Sequence, residues 1–175
     1  NIMSTIPDYT NNINNLEKVL LLLSGAAHDI AHPGNNNIFE VNTKSELAIT
    51  YNDKSILENY SLFVFFNLIK DFNMNIFSEL DAYEIKHIRN TIINNIIATD
   101  MANHFNDLKK FKEILENDKN DLTMQENKEF ILTQVIHMAD ISNTFKPFYM
   151  SKTWVDLLFK EFYDQVNFYY LIFYF

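Results

Sequence analysis

A chain of 175 residues with no cysteine, two glycines, three prolines and a formal net charge of −9 is long enough for one domain that buries roughly 70% of its unfolded surface. Disulfide frameworks and thiolate metal sites are excluded. The acidic balance argues against a nucleic-acid polymer or an anionic membrane as partner, because phosphate backbones are held mainly by Lys and Arg; small phosphate esters stay open, since bound metal ions can supply the positive charge. With 47% hydrophobic and 21% charged residues the composition is globular, and no apolar run approaches the ~18 residues that span a bilayer. No stretch resembles a secretory leader, so a reducing, intracellular setting is expected.

Two glycines are too few to turn many β-hairpins, and apolar residues recur at three and four through most segments. An all-α fold is expected: a compact multi-helix domain. Asn14 to Ile30 reads as a helix with Leu16, Val19, Leu20, Leu23 and Ala27 on one side, stopped by Pro33-Gly34. Ser45 to Tyr51 reads as a short helix with a Ser cap. Lys54 to Asp71 reads as a longer one, with Ile56, Leu57, Tyr60, Phe63, Val64 and Leu68 on a stripe. Asp81 and Glu84 form a capping pattern for a helix through Ile97, and Thr99-Asp100 caps or kinks the chain into the next helix, through about Glu116. Asn117 to Gln125 reads as a loop. Helices over Asn127 to Ile141 and Ser151 to Gln165 are separated by a Lys146-Pro147 turn, and the aromatic tail after Val166 carries no helix-specific pattern.

Site-type residues concentrate where the chain reads HDIAHPGNNNIF, His28 to Phe39. His28 and Asp29 are adjacent, and the four-residue step to His32 predicts both imidazoles on one helical face. Imidazole and carboxylate together suit zinc, or a harder ion such as magnesium or manganese. Two ligands do not close a site, and Asp140 in HMADISN is the best distant candidate: an acid set among Ile136, Met138, Ala139 and Ile141 needs a cation or strong hydrogen bonds to stay ionised. Taken singly, a His-Asp pair is more often a surface or capping pair, Asp140 a helix-end acid, His87 a solvated helix residue, and His104 and His137 satisfied core histidines.

Four blocks in order carry more. HDIAHPGNNNIF, SELAITYNDKSILEN (Ser45 to Asn59), ATDMANHF (Ala98 to Phe105) and HMADISN (His137 to Asn143) together resemble the catalytic domain of the class I 3′,5′-cyclic-nucleotide phosphodiesterases, over about Leu16 to Gln165. The resemblance implies a helical domain with two divalent ions, zinc at the tight site and magnesium or manganese at the second, acting on cAMP or cGMP. It implies His28, Asp29 and Asp140 as metal ligands, with Asp29 shared between the ions, and His32 hydrogen-bonded to the bridging hydroxide or its surroundings. Glu58, Thr99 and Asp100 would belong to the network that orients water around the second ion, Asn143 to the nucleotide pocket and Met101 to its wall. A metal pair roughly 3.5–4 Å apart suits hydrolysis of a cyclic phosphodiester, supplying a nucleophile at neutral pH and neutralising the phosphoryl oxygens.

The sequence also departs from that family. Residues 1 to 27 hold no histidine, whereas the family carries an upstream H-N-x-x-H motif with the general-acid histidine and a further ligand. Tyr60-Ser61 replaces paired histidines, Asn143-Thr144-Phe145-Lys146 replaces Asn-Pro-Thr-Lys, and Gln165-Val166-Asn167 replaces Gln-Gly-Asp. The expectation is a partial catalytic domain over residues 14–165, followed by a tail, 166–175, of unknown origin, with little or no turnover in the isolated chain. A cytoplasm-facing location, a parent protein attached to a membrane through other segments, and a homodimer formed through that parent are compatible with it. A non-catalytic helical module binding a nucleotide or a protein is the alternative; a phosphohydrolase of the wider His-Asp superfamily fits the blocks around Glu58 and Asn143 less well.

Overall fold

The computed structural model describes residues 13–71, 76–116 and 124–174, with side chains described as far as residue 168. Among these the chain is helical throughout, without a strand. Helix α1, Asn15–Ala27, starts with a capping box. The Asn14 side chain accepts from the Glu17 N–H at 2.9 Å, and the Glu17 carboxylate accepts from the Asn14 N–H at 2.8 Å, so two of the donors every helix start leaves open are satisfied reciprocally.

The core is built around α1. On one side Leu20 and Ala27 meet Ile88, Ile92 and Ile96 of α5, Ala82–Ile97, with Leu62 of α4, Ile56–Lys70, completing the cluster. On the other side Leu21 joins Ile13 against Leu132 and Ile136 of α7, Gln125–Asp140. A helix packed from two sides buries two stripes, and so Leu20, Leu21, Ser24 and Ala27 are inside while Leu16 and Val19 of the expected face are exposed. The buried polar pair in the first interface is matched: the Asn95 amide donates to Ser24 Oγ at 3.1 Å, which removes the cost of two lone polar groups in an apolar contact.

The first helix ends three residues earlier than its apolar pattern suggests. His28 is its cap, Ile30 and His32 bond back only three residues, and Ala31 takes a positive φ of 61°. Residues 28–32 therefore form successive tight turns, and His28 and His32 do not share a helical face, which corrects the expectation from their spacing. The asparagine run that follows holds a short helix the pattern does not announce, α2, Asn37–Asn42, with the Asn36 side chain accepting from the Phe39 N–H at 2.8 Å; Asn at a helix start does what Asn does in a turn, taking up a free N–H.

Helix α3, Glu46–Tyr51, has the expected Ser45 cap and ends at Asn52 in the left-handed region. Helix α4 buries Ile56, Leu57, Ser61 and Leu62, leaving Phe63 and Leu68 exposed. Apolar residues surround this helix almost completely, so periodicity alone does not choose its inner face. The Asp81–Glu84 capping box of α5 is present as expected. Asp100 caps a single 3₁₀ turn, Met101–Asn103, that leads into α6, His104–Glu116. The loop expected from Asn117 lies for the most part outside the described residues, in 117–123. After α7, a 3₁₀ turn over Ile141–Phe145 and the Lys146-Pro147 corner lead into α8, Phe148–Tyr174. Here the helix begins earlier than expected and continues through the unassigned tail, and Phe168 packs on Phe39 at 5.7 Å between ring centroids. Among the described residues no helix is long and apolar enough to cross a membrane.

Candidate metal centre

The second core interface brings the end of α1 beside the end of α7, and the outcome is a convergence of residues 28, 29 and 140. His28 Nε2 lies 3.2 Å from Asp29 Oδ2 and 3.4 Å from Asp140 Oδ1. The three residues each offer one donor atom within 4.8 Å of the other two. This joins an imidazole and its neighbour to an acid more than a hundred positions away.

His28 is also held from behind. Its Nδ1–H donates to the Gly25 carbonyl at 2.8 Å, which fixes the ring and leaves Nε2 as the nitrogen that faces the two carboxylates, as a metal-ligating imidazole requires. Because Asp140 and Asp29 accept from Nε2–H, the His28 pKa is pushed up to about 10 against the opposing effect of partial burial, with the Gly25 carbonyl adding to the rise. Asp29 is held below the usual carboxylate range, first by its hydrogen bond with His28 and, with a smaller contribution, by His32. Two carboxylates beside one imidazole favour positive charge, and a neutral imidazole with two carboxylates is a donor set suited to a divalent cation. The residues present therefore fit a metal ion.

Further polar residues surround this centre and couple to it. Burial raises the Glu58 pKa, helped by the nearby charges of Asp100 and Asp29 and opposed by the hydrogen bond that its Oε2 accepts from the Asn37 amide at 3.0 Å. Asn37 also caps α4, because its Oδ1 accepts from the Leu57 N–H at 3.0 Å. Ser55, the residue before that helix, has φ 41° and no cap bond of its own; its hydroxyl instead donates to Asp100 Oδ2 at 2.8 Å, while Asp100 Oδ1 accepts from the Ala102 N–H. Thr99 and Asp100 are both buried, and Thr99 Oγ1 donates to the Ile96 carbonyl at 2.7 Å.

The other expected residues stand further out. His32 is exposed, and its Nδ1 accepts from the Gly34 N–H at 3.1 Å. Asn143 uses its side-chain oxygen to accept from Lys146 Nζ at 3.0 Å, and its carbonyl accepts from Ser151 Oγ. Met101 is 57% exposed. The large cleft that opens beside His28 and Asp140, of about 1390 Å³, runs between α1 and α7 and is lined by residues such as Leu21, Gly25, Met138 and Ser142; neither Asn143 nor Met101 lines it. Ser61, in the pair that departs from the family pattern, is buried and donates to the Ile30 carbonyl at 3.2 Å, so this position ties α4 to the turn after His28 and Asp29.

Sequence reasoning does not find Ser55, the double role of Asn37, or the His104–His137 contact, in which His104 Nδ1 and His137 Nε2 are 2.8 Å apart. None has a local signal beyond its residue type. Gln165 stands out in the sequence only as part of an altered motif, yet it is buried and its side-chain oxygen accepts from the Asn36 N–H at 3.0 Å, anchoring α8 to the start of α2.

Residues 1–168 match the family described as 3′5′-cyclic nucleotide phosphodiesterase. The chain is 35% identical over 156 residues to the 3′,5′-cyclic-nucleotide phosphodiesterase regA of Dictyostelium discoideum, covering 89% of this chain and 20% of that protein. It is 38% identical over 148 residues to the high affinity cGMP-specific 3′,5′-cyclic phosphodiesterase 9A of Homo sapiens, covering 84% of this chain and 25% of that protein. The crystal structure of the phosphodiesterase domain of Salpingoeca rosetta rhodopsin phosphodiesterase superposes with a TM-score of 0.83 at 38% identity, covering 89% of this chain and 48% of that one. The chain thus spans a fifth to a quarter of these two curated relatives and about half of the solved domain.

Proposed function

Since the chain belongs to the 3′,5′-cyclic nucleotide phosphodiesterase family, we propose that it is part of a metal-dependent hydrolase that opens the 3′ phosphoester of cAMP or cGMP to give the nucleoside 5′-monophosphate. The observation that carries this reading is the convergence of His28, Asp29 and Asp140. These three would hold the tighter ion, zinc, with Asp29 shared with a second ion, magnesium or manganese. When bound, such ions supply a nucleophile at neutral pH and offset charge on the phosphoryl oxygens.

The protein's own residues have separate roles. The Gly25 carbonyl keeps the His28 ring turned so that Nε2 faces the site, and His32 helps hold Asp29 ionised. Glu58, Thr99 and Asp100 would order water around the second ion, with Ser55 and Asn37 fixing the two carboxylates among them. Asn143 serves the nucleotide pocket and Met101 its wall. Departure of the ribose oxygen requires a proton; with no imidazole in residues 1–27, the isolated chain is expected to turn over little or no substrate. The domain proper covers residues 14–165, and a cytoplasm-facing parent protein, as a homodimer, is compatible with a cyclic-nucleotide substrate.

The test is hydrolysis of cAMP and cGMP by a polypeptide extended upstream to include an H-N-x-x-H motif, with zinc and magnesium present. Turnover of either, lost in Asp140→Ala, is expected; inactivity toward both overturns the proposal. One observation favours a second reading, a non-catalytic module: Ser61 is occupied as a structural tie to the Ile30 carbonyl. Cyclic-nucleotide binding without hydrolysis in the extended polypeptide would select it.

A further inference from the structure

Helices α6 and α7 run antiparallel where they touch, and two polar pairs bridge them in register. His104 Nδ1 lies 2.8 Å from His137 Nε2, and one helical turn along, Gln134 Nε2 donates to Asp107 Oδ2 at 3.3 Å. The first pair is enclosed on its His137 side, with His104 half-buried. His137 is only 2% exposed, and its other ring nitrogen, Nδ1, is buried without a hydrogen-bond partner. A buried N–H without an acceptor is rarer than an acceptor left unused, so the proton of His137 belongs on Nε2, donating to His104 Nδ1. That assignment makes His137 a neutral ring with one defined tautomer. Burial, with His104 alongside, lowers the His137 pKa and keeps the ring neutral, against the opposing charges of Asp140 and Asp107.

The position of these pairs gives them a consequence beyond packing. His137 stands three residues before Asp140 on the same helix, and His104 follows Asp100 through a single 3₁₀ turn. The bridge therefore joins the two segments that carry the site's distant acids. Along α1, helix α7 is tied by the Lys128–Glu17 ion pair at 2.8 Å, but at its far end, about three turns before Asp140; nearer the site its contacts to α1 through Leu132 and Ile136 impose no directional bond, and the directional bonds that flank Asp140 from the same helix are those to α6.

We propose that His104 and His137 are a positioning pair: the tautomer-defined bond from His137 Nε2–H to His104 Nδ1, reinforced by Gln134 and Asp107, sets the register of α7 so that Asp140 meets His28. This rests on the proposed metal centre and adds to it residues that touch neither metal nor substrate. Partners that orient a ligand at one remove commonly matter about ten- to a hundredfold in metal affinity.

The test is zinc binding by calorimetry to the 175-residue chain and its variants, with an imidazole ¹⁵N–¹H spectrum of the wild type. The spectrum should show His137 protonated at Nε2 and bare at Nδ1. His137→Leu should weaken zinc binding by about tenfold or more. His137→Gln, whose amide N–H replaces the Nε2–H, should retain most of the affinity, a rescue that packing volume alone does not explain. His104→Ala, at a half-buried position less exposed to folding failure, should match His137→Leu, and the double variant should be no worse than either single one, as for two ends of one bond. Unchanged zinc affinity in folded His104→Ala, or a His137 protonated at Nδ1, overturns the pair. Failure of the wild-type chain to bind zinc contradicts the metal centre itself and the pair with it, so the two failures are told apart.

Discussion

At the scale of single residues, the chemistry turns on one proton. The metal-free His28 ring holds its proton up to about pH 10 because Asp140 and Asp29 both accept from it, yet a metal ion needs Nε2 deprotonated. Zinc binding near pH 7.5 should thus release about one proton per ion from His28, and affinity should rise about tenfold per pH unit well below 10; calorimetry in buffers of different ionisation enthalpy reads this directly, and His28→Ala should abolish it. The same shift has a consequence for folding. A histidine whose folded pKa lies above its unfolded value near 6.5 stabilises fully below about pH 6.5, and that contribution is lost as pH rises through about 10.

Glu58 also loses stability as pH rises, but because its charged form is the disfavoured one. Burial raises its pKa, so its charge costs stability above the ordinary carboxylate range and costs nothing below it. Glu58→Gln, which keeps an oxygen to accept from Asn37, should raise the melting temperature of the metal-free chain at pH 7, with the gain vanishing as pH falls below about 4.5. The residue types and order around His28, Asp29 and Asp140 made this centre legible in the sequence. The His104–His137 bond was not, because a hydrogen bond between two helices depends on their register, which no single-residue pattern encodes.

Among the helices, starts were easier to read than ends and faces. Asp81 with Glu84 and Ser45 before α3 cap as their residue types dictate. The end of α1 is not marked by its apolar pattern, which continues to Ile30, while the chain leaves the helix at His28, whose Nδ1 is engaged by the Gly25 carbonyl. Helix α2 is hidden because asparagine suits a turn and a helix start equally. The inner face of α4 was not readable from a segment apolar on nearly every side.

These helix contacts are testable on their own. Ser24→Ala leaves the buried Asn95 amide without its acceptor and should lower stability by about 1–3 kcal/mol. Ile92→Ala, at a position with no exposure, should cost about 2–5 kcal/mol. Both are measured by urea unfolding, and neither should alter the proton release at His28 in a chain that remains folded.

Across the molecule, α1 is the common partner of both cores, and the candidate site forms where its end meets the end of α7. Function is thereby tied to folding: the ligands come together only when α1 and α7 pack, and an ion that binds only the folded chain should raise stability by about 2.7 kcal/mol at a hundredfold excess over Kd. A chain truncated after Gln165 keeps that site and the Asn36 anchor and should bind zinc as the whole chain does, although it loses the Phe39–Phe168 contact. The long α8 was only half legible, because its aromatic end carries no helix period that sets it apart. The metal centre is tested most directly by a zinc titration of the wild-type chain beside Asp140→Ala: wild-type uptake of the ion with affinity lost in the variant is predicted, and equal binding by the two, both folded, would contradict it.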